Sequence, residues 1–461
     1  MIRAALLFLA LIGIAGAGGT TTTVAAADDD LQTQSPTTTV QSFTAVAGAD
    51  LMARLDAAQA RARARQTPYW SAYTFDVRPG VAVDPAIHDF NGSINTMGDT
   101  SVYVGTTASG VTVETRNLAI FLLRDPANNQ ITRMEIYNLE RKREYSGYPV
   151  YWLGRANNEE SLNYLHAIAA ATPLDMLSER AVLGIALHDD SRVAGMLKNF
   201  VSTSPNQRIR SSSVYWLGQV GGEQMFLASL VRNESEDFKL RRAAAHAIGQ
   251  SRERGAIAML QVLYESVKDV EVRRSVISAA GNSVDEQAAF TFLLGVAKND
   301  PDWESRRTAV RQLGHFNRED AVEELMKIYT NDANVEVKSA ALRSLSETKS
   351  TRGDDKLFEV AQSSDVNMRR QAIRLLGERV GKRSFDFLSQ TAQSTDGNAE
   401  VQVQAVRAIG ERHAEESVPL LIKIAKTHPN QMVRKQAIRS LGESGDPRAV
   451  EFFREVLTKQ N

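Results

Sequence analysis

Basic side chains recur at fixed places along the C-terminal two-thirds of this 461-residue chain, and their types and spacing suit the binding of anions. An arginine stands every 31 to 33 residues in what we call the arginine row: Arg311, Arg343, Arg374, Arg407 and Arg439. Four residues earlier, a companion row contains Arg307, Arg370 and Lys435 and is interrupted by Ser339 and Val403. Residues four apart share one face of a helix. Such a ribbon of cations could hold an acidic protein segment or an anionic glycan through charge-assisted hydrogen bonds.

Acidic residues near the arginine row allow a second interpretation. Four of the five arginines are followed, four residues later, by a glutamate: Glu347, Glu378, Glu411 and Glu443. Pairs at this spacing stabilise a helix by roughly 0.2–0.5 kcal/mol and would neutralise the ribbon. Arg311 has His315 at that place and is the predicted unpaired member. The row is therefore either an ion-paired, solvated face or an anion-binding groove.

The histidines and carboxylates form no recognisable catalytic or metal-binding set. None of the seven histidines lies four residues from another with a carboxylate placed to share a metal. His188-Asp189-Asp190 falls in a predicted turn, where solvated side chains are expected, and His88-Asp89 has no nucleophile at motif spacing. No glycine-rich loop resembles a phosphate cradle. We therefore expect no catalytic residues, no metal and no cofactor.

Both basic rows belong to a repeated unit of about 32 residues. The anchor of the unit is a glycine that is replaced once by serine: Gly218, Gly249, Gly281, Gly314, Ser346, Gly377, Gly410 and Gly442. Most anchors have a basic residue eight positions earlier, which we call the ladder row, and a small or apolar residue five positions earlier. Self-similarity at this period is typical of stacked structural repeats.

Each unit has two apolar stripes at helical spacing, one before and one after the anchor. In the last unit, Val433, Ala437 and Leu441 lie on the first stripe, and Ala449 and Phe453 lie on the second. We call the two predicted helices the motif helix and the second helix. The anchor glycine is predicted to end the motif helix as a left-handed C-cap. A lone hairpin of this size cannot bury both stripes, whereas a stack of hairpins can.

The stretch Val433-Arg434-Lys435-Gln436-Ala437-Ile438-Arg439-Ser440-Leu441-Gly442 resembles the HEAT repeat, and the short period resembles the HEAT-like units named after phycobilisome lyases. The resemblance covers about residues 145–461, including Val150-Tyr151-Trp152-Leu153-Gly154, which is similar to Val214-Tyr215-Trp216-Leu217-Gly218. It implies a right-handed α-solenoid of about ten two-helix units whose motif helices line the concave side.

The same resemblance implies that the ladder row pairs with acids of the preceding turn, with Asp300 available to Arg306 and Asp332 to Lys338. Deoxyhypusine hydroxylase is a HEAT-like enzyme that binds iron through His-Glu pairs. No His-Glu dipeptide occurs in this chain, so that activity is not implied.

The N-terminal third is predicted to contain three segments before the solenoid at residues 143–461. Residues 1–27 are typical of a cleaved signal peptide, with Arg3, a short apolar run and Ala25-Ala26-Ala27. Residues 28–48 are predicted to be a disordered linker because they contain few bulky apolar groups. Residues 49–142 combine a short helix with a small antiparallel β-domain that caps the solenoid. The strands expected there are 69–77, 101–106, 111–114, 118–123 and 131–137, with the last two forming a hairpin.

The amino-acid composition limits where the protein can be located and which partners it can bind. The absence of cysteine excludes disulfides and lipoprotein anchors, and we expect a mature chain without a transmembrane segment in the periplasm or outside the cell. The chain has 54 basic and 55 acidic side chains, a balance that does not favour nucleic-acid binding.

The leading hypothesis is an exported, non-catalytic scaffold that binds a protein partner, with an acidic segment, along the concave surface. One alternative is a lyase or ligand-handling enzyme of the phycobilisome-lyase type, although those proteins act in the cytoplasm. The other is an envelope- or carbohydrate-binding module that uses the β-domain aromatics Tyr69, Trp70, Tyr73 and Tyr103.

Overall fold

A computed structural model describes residues 43–84, 90–97, 100–107, 111, 114–171, 175–348, 350–394 and 397–458. The predicted signal peptide, residues 28–42 of the predicted linker, and His88-Asp89 lie outside the described residues. In the part that is described, a mixed α/β domain precedes a long stack of helices.

The N-terminal domain contains helix α1 (Leu51–Arg63) and eight strands in two sheets. The strands are β1 (Thr44–Ala45), β2 (Tyr69–Thr74), β3 (Val81–Val83), β4 (Phe90–Met97), β5 (Thr100–Thr107), β6 (Leu118–Arg124), β7 (Ile131–Asn138) and β8 (Val150–Arg155). The larger sheet has the order β1-β8-β2-β6-β7, and the smaller sheet has the order β3-β5-β4.

The predicted antiparallel pairing is confirmed in the smaller sheet and in the β2-β6-β7 part of the larger one. The predicted hairpin is β6-β7, in which Leu118 lies opposite Asn138. The larger sheet also contains two parallel pairings that were not predicted, since β8 runs parallel to both β1 and β2. Neither Val111 nor Glu114 lies in a strand.

The ordered domain begins before the predicted end of the linker at residue 48. Thr44 and Ala45 pair with Tyr151 and Trp152 of β8. The ring of Phe43 stacks on Trp152 with centroids 5.7 Å apart. Backbone pairing and the packing of this aromatic ring hold the segment in the sheet. The small and polar residues around Phe43 did not indicate this.

The prediction that residues 150–154 form the first helical unit is wrong, because this segment is strand β8. Val, Tyr and Trp all favour the half-buried surface of a sheet. Tyr151 pairs with Thr44 of β1 on one side and with Ser71 of β2 on the other. The similar residues 214–218 lie in a helix. Partners in the sheet therefore decide the conformation.

The solenoid consists of nineteen described helices. They are α2 (Asn158–Ala171), α3 (Asp175–Ala186), α4 (Arg192–Thr203), α5 (Gln207–Val220), α6 (Gln224–Arg232), α7 (Phe238–Gln250), α8 (Ala256–Ser266), α9 (Val270–Ala280), α10 (Glu286–Asn299), α11 (Trp303–Leu313), α12 (Glu319–Asn331), α13 (Val335–Glu347), α14 (Thr351–Val360), α15 (Val366–Gly377), α16 (Lys382–Gln393), α17 (Ala399–Gly410), α18 (Ala414–Thr427), α19 (Gln431–Ser444) and α20 (Pro447–Thr458).

After α2, these helices form nine hairpins in which the odd-numbered helix is the motif helix. Successive motif helices generally pack closely against each other, whereas successive second helices make few contacts. A stack that is tight along one side and spread along the other curves toward the tight side. The motif helices therefore form the inner surface, as predicted.

The anchor glycines do not form the predicted left-handed C-caps. All of the described glycines with positive φ lie elsewhere, for example Gly221, Gly255 and Gly445. Gly218 and Gly249 lie inside α5 and α7. At most anchors, an added Cβ would collide with the next motif helix. The glycine is present for close packing and not for its φ angle.

The β-domain covers the N-terminal end of the helical stack, where α3 packs on β7. Arg180 of α3 forms an ion pair with Glu135 of β7, and both side chains are buried. Arg180 Nη1 also donates to the carbonyl oxygen of Met134 at 2.6 Å. Within the described residues, none of the helices combines the length and apolar content needed to cross a bilayer.

Candidate partner-binding groove

Three successive motif helices bring four of the predicted basic residues together. Arg307 and Arg311 of α11, Arg343 of α13 and Arg374 of α15 line one groove of about 300 Å³ on the inner surface. The remaining lining residues are Glu336, Ser339, Ala340 and Gln371. The groove thus has four cationic side chains and one acidic side chain.

The groove lies at a break in the regular packing. The apolar core divides here, since one cluster of buried residues extends through Leu345 and a second begins at Leu342. The contact between α13 and α15 is weaker than between most successive motif helices. Ser346 replaces the anchor glycine of α13, and the α15 residue that corresponds to the small neighbours of most other anchors is Leu375. The pairing of a glycine with a small residue is thus missing at this interface, where the groove lies.

Two arginines in the groove have no carboxylate partner among the described residues. Arg311 is exposed and makes no hydrogen bond or ion pair there. The guanidinium of Arg307 lies 4.9 Å from the ring centroid of Trp303, an attractive cation–π distance. This stacking orients Arg307 without neutralising it. The expectation that Arg311 is unpaired agrees with the described structure.

The other basic residues differ in their pairing. Three of the predicted i, i+4 ion pairs are present: Arg343–Glu347 at 3.1 Å, Arg374–Glu378 at 2.7 Å and Arg439–Glu443 at 3.0 Å. Arg370 pairs with Glu400 of α17 at 3.0 Å. Within the described chain, Arg407 does not pair with Glu411, and Lys435 has no side-chain partner. All of the pairs are substantially exposed, so they are worth little and an incoming carboxylate can compete for the arginine.

The arginine row is confined to the C-terminal half of the inner surface. In the earlier units, the positions of the arginine row contain Tyr215, His246 and Ser278. Burial lowers the pKa of His246, and the nearby Arg242 lowers it further. Both effects favour the neutral form of His246, and the arginine row has its first cation in α11.

The ladder row connects neighbouring units, but with a register that differs from the prediction. Arg306 Nε and Nη2 donate to the two carboxylate oxygens of Asp332, at 2.8 and 3.2 Å, in the turn of the following unit. Arg306 Nη1 donates to the backbone carbonyl of Asp300 at 2.9 Å. The predicted Arg306–Asp300 carboxylate pair is therefore wrong. Lys338 donates to the carbonyl oxygen of Thr330 in place of pairing with Asp332.

His188 lies in the connection between α3 and α4, as predicted, but its side chain is buried and not solvated. Its Nδ1 donates to the carbonyl oxygen of Gly184 at 2.7 Å, and its Nε2 lies 2.8 Å from Ser161 Oγ. Its ring stacks on Phe75 at 4.3 Å, which joins the β-domain to the solenoid. Asp190 instead pairs with Arg192. No group of three potential metal ligands occurs among the described residues.

The aromatic residues suggested as a carbohydrate platform are largely internal. Tyr69, Trp70 and Tyr73 are at most 2% exposed, and Tyr103 is half-buried. Trp70 Nε1 donates to the carbonyl oxygen of Tyr145 at 3.1 Å inside a second aromatic cluster. Because both faces of the larger sheet are covered, the rings of Tyr69, Trp70 and Tyr73 stabilise the domain and offer no open stacking surface.

Sequence reasoning missed the buried pair of Arg180 and Glu135. A signal was present, because Glu135 interrupts the apolar residues Met134 and Ile136 within a predicted strand. A charge in such a run requires a partner. One partner is Arg133, two residues earlier on the same strand, whose Nε donates to Glu135 Oε1 at 2.6 Å. The buried partner Arg180 lies in α3, and nothing in the sequence pattern identifies it.

Several solved structures are distantly similar to this chain. Among solved structures, human deoxyhypusine hydroxylase in complex with glycerol is 15% identical, with a TM-score of 0.27, over 62% of this chain and 96% of that one. The CpcE–CpcF complex of phycocyanin lyase from Nostoc is 20% identical, with a TM-score of 0.26, over 55% and 92%. Yeast importin-β (Kap95p) is 11% identical, with a TM-score of 0.38, over 64% and 46%. These likenesses concern the fold alone.

A search of curated proteins finds no significant match. The family model for HEAT repeats matches residues 224–304, 290–377 and 385–461, which together make up half of the chain. The matched segments contain the groove and both basic rows. The chain belongs to the HEAT-repeat family.

Proposed function

We propose that this protein is an exported, non-catalytic scaffold that binds a protein partner along the inner surface of its solenoid. The observation that carries the proposal is the groove in which Arg307, Arg311, Arg343 and Arg374 meet. Its net positive charge favours a partner with an acidic segment. The inner surface continues beyond the groove to Arg407 and Arg439, which gives such a segment further cations.

Export is part of the same proposal and is supported by the N-terminal sequence. Arg3, the apolar run that follows it and Ala25-Ala26-Ala27 have the order of a secretory signal. Fractionation of cells that express the full chain tests this point. The mature protein should be recovered outside the cytoplasm, with a mass that corresponds to a start at Asp28. An unprocessed chain in the cytoplasm would contradict export.

Charge reversal tests the binding surface. A triple variant with Arg311→Glu, Arg343→Glu and Arg374→Glu should lose the partner that co-purifies with the tagged protein from the envelope fraction. A matched control carries Lys382→Glu, Arg352→Glu and Arg454→Glu on second helices and changes the net charge by the same amount. The control should retain the partner.

Both variants should keep a Tm within a few degrees of the wild type, because exposed substitutions rarely change stability much. Equal capture by the two variants would remove the groove from the proposal.

A further inference from the structure

The shape and the charge of the groove together restrict the conformation of what binds there. We propose that it accepts an extended segment with acidic residues at every third position, one for each motif helix. This inference rests on the proposed scaffold function and adds the local conformation and spacing of the ligand.

The distribution of charge in the groove supports an acidic ligand with several carboxylates. Arg307 and Arg311 have no acidic partner among the described residues, and Glu336 is the single acid in the lining. Arg343 and Arg374 are 52% and 41% exposed, and each has a glutamate partner on its own helix. A planar guanidinium can bind a second carboxylate beside the first. Each of the three helices therefore contributes a binding point.

The spacing of the helices fixes the spacing of the acids. Packed helices lie roughly 8–10 Å apart. A segment in the extended polyproline II conformation advances about 3.1 Å per residue, so about three residues cover that distance. Acids at every second residue advance only about 6.2 Å, which falls short of the next arginine. Because polyproline II has three residues per turn, acids at every third residue lie on one side of the segment and reach Arg311, Arg343 and Arg374 in turn.

An α-helical ligand fits the same groove poorly. A helix with its side chains is about 10–12 Å wide and satisfies its own backbone hydrogen bonds, so its backbone cannot use polar groups in the floor of the groove. The polar floor instead suits an exposed peptide backbone. Ser339 Oγ donates to Gln371 Oε1 at 2.7 Å, and Gln371 Nε2 donates to the carbonyl oxygen of Ser339 at 2.8 Å. The amide of Gln371 has a second N–H that can donate to a carbonyl of the ligand.

Synthetic peptides test the spacing directly. One ten-residue peptide has Asp at positions 1, 4, 7 and 10 in a Ser/Gly background, and the other has the same composition with the four Asp residues consecutive. Calorimetric titration of the full chain should give at least tenfold tighter binding of the spaced peptide, and the affinity of both should fall as salt is added. Equal affinities, or tighter binding of the consecutive peptide, would overturn the inference. So would a failure of the spaced peptide to bind.

Single substitutions test the position of the site. Arg311→Gln should weaken binding of the spaced peptide about tenfold. Arg439→Gln lies in the same row but outside the groove and should change the affinity less than twofold. Equal effects would overturn the inference. All of these outcomes are independent of the co-purification experiment, because a partner can be captured through the inner surface without an extended acidic segment.

Discussion

A Cβ atom added to Gly218 of α5 would lie 2.6 Å from the carbonyl oxygen of Ala247 in α7. The same relationship recurs along the stack, where a Cβ on Gly314 would lie 2.7 Å from Cβ of Ser344. Real Cβ atoms do not approach other atoms so closely. Close packing of the inner surface therefore requires two things together, the anchor glycine and a small residue on the next motif helix.

Gly218→Ala should destabilise the protein by about 1–3 kcal/mol, because the added methyl group forces α5 and α7 apart. Gly442 provides a matched control, since no atom lies within 4 Å of a Cβ added there. Gly442→Ala should be neutral or stabilising by up to about 1 kcal/mol, because alanine is the better helix former. Urea unfolding measures both effects. Equal losses of stability would contradict a packing role for the anchor.

Arg306→Ala should destabilise the solenoid by about 2 kcal/mol. The substitution removes two charge-assisted hydrogen bonds to Asp332 and one to the carbonyl oxygen of Asp300. The Arg306 and Asp332 side chains are 16% and 9% exposed, so solvent replaces these bonds poorly. Arg439→Ala, which removes an exposed pair within one helix, should change stability by a few tenths of a kcal/mol, roughly. Thermal and urea unfolding of the two variants should therefore differ clearly.

Glu135→Ala should destabilise the junction of the β-domain and the solenoid by roughly 3–5 kcal/mol, because it removes the carboxylate that balances the buried charge of Arg180. Replacing both residues, with Glu135→Leu and Arg180→Met, should restore much of the loss, since an apolar pair avoids the buried charge. Hydrogen exchange of α3 and β7 reports on this junction. A single variant as stable as the wild type would show that the pair contributes little.

His188 should make the stability of the junction depend on pH. Burial lowers the pKa of His188 from 6.5 to about 4, with Arg192 lowering it further against the opposing effects of Gly184 and Asp190. The unfolded chain therefore binds more protons than the folded chain between those two values. The contribution to stability is complete above pH 6.5 and is lost progressively as the pH falls toward 4.

The loss should be on the order of 3 kcal/mol, as the size of the pKa change implies. Urea unfolding at several pH values between 4 and 7 measures it. In the His188→Gln variant, this part of the pH dependence should disappear, while the carboxylates still titrate in both proteins. Parallel curves for the variant and the wild type would contradict the assignment.

Much of the solenoid was predictable because each unit repeats the same apolar and basic positions. The boundaries were less predictable where the deciding contact comes from elsewhere in the chain. Val150-Tyr151-Trp152 looks like the helical Val214-Tyr215-Trp216, but β1 and β2 lie beside it and make it a strand. A local pattern cannot contain that information.

The groove was predictable in its residues and not in its shape. The arginine row and the unpaired state of Arg311 follow from spacing and from the absence of an acid one turn later. The groove lies where Ser346 and Leu375 replace the usual glycine and small residue, and a groove between two helices appears only when the helices are packed together. The close approach of neighbouring motif helices at the other anchors could have been predicted. Its signal is a small residue two positions before the following anchor, as at Ala247 and Ser344.

The division of the apolar core between α13 and α15 has a consequence for cooperativity. In a linear stack, each unit is stabilised only by its neighbours, so a weak interface separates blocks that melt independently. Calorimetry should resolve two transitions, one for the β-domain with the units through α13 and one for the units from α15 onward. A ligand that lies across Arg311, Arg343 and Arg374 contacts both blocks. By mass action, its binding couples them and merges the two heat-absorption peaks into one.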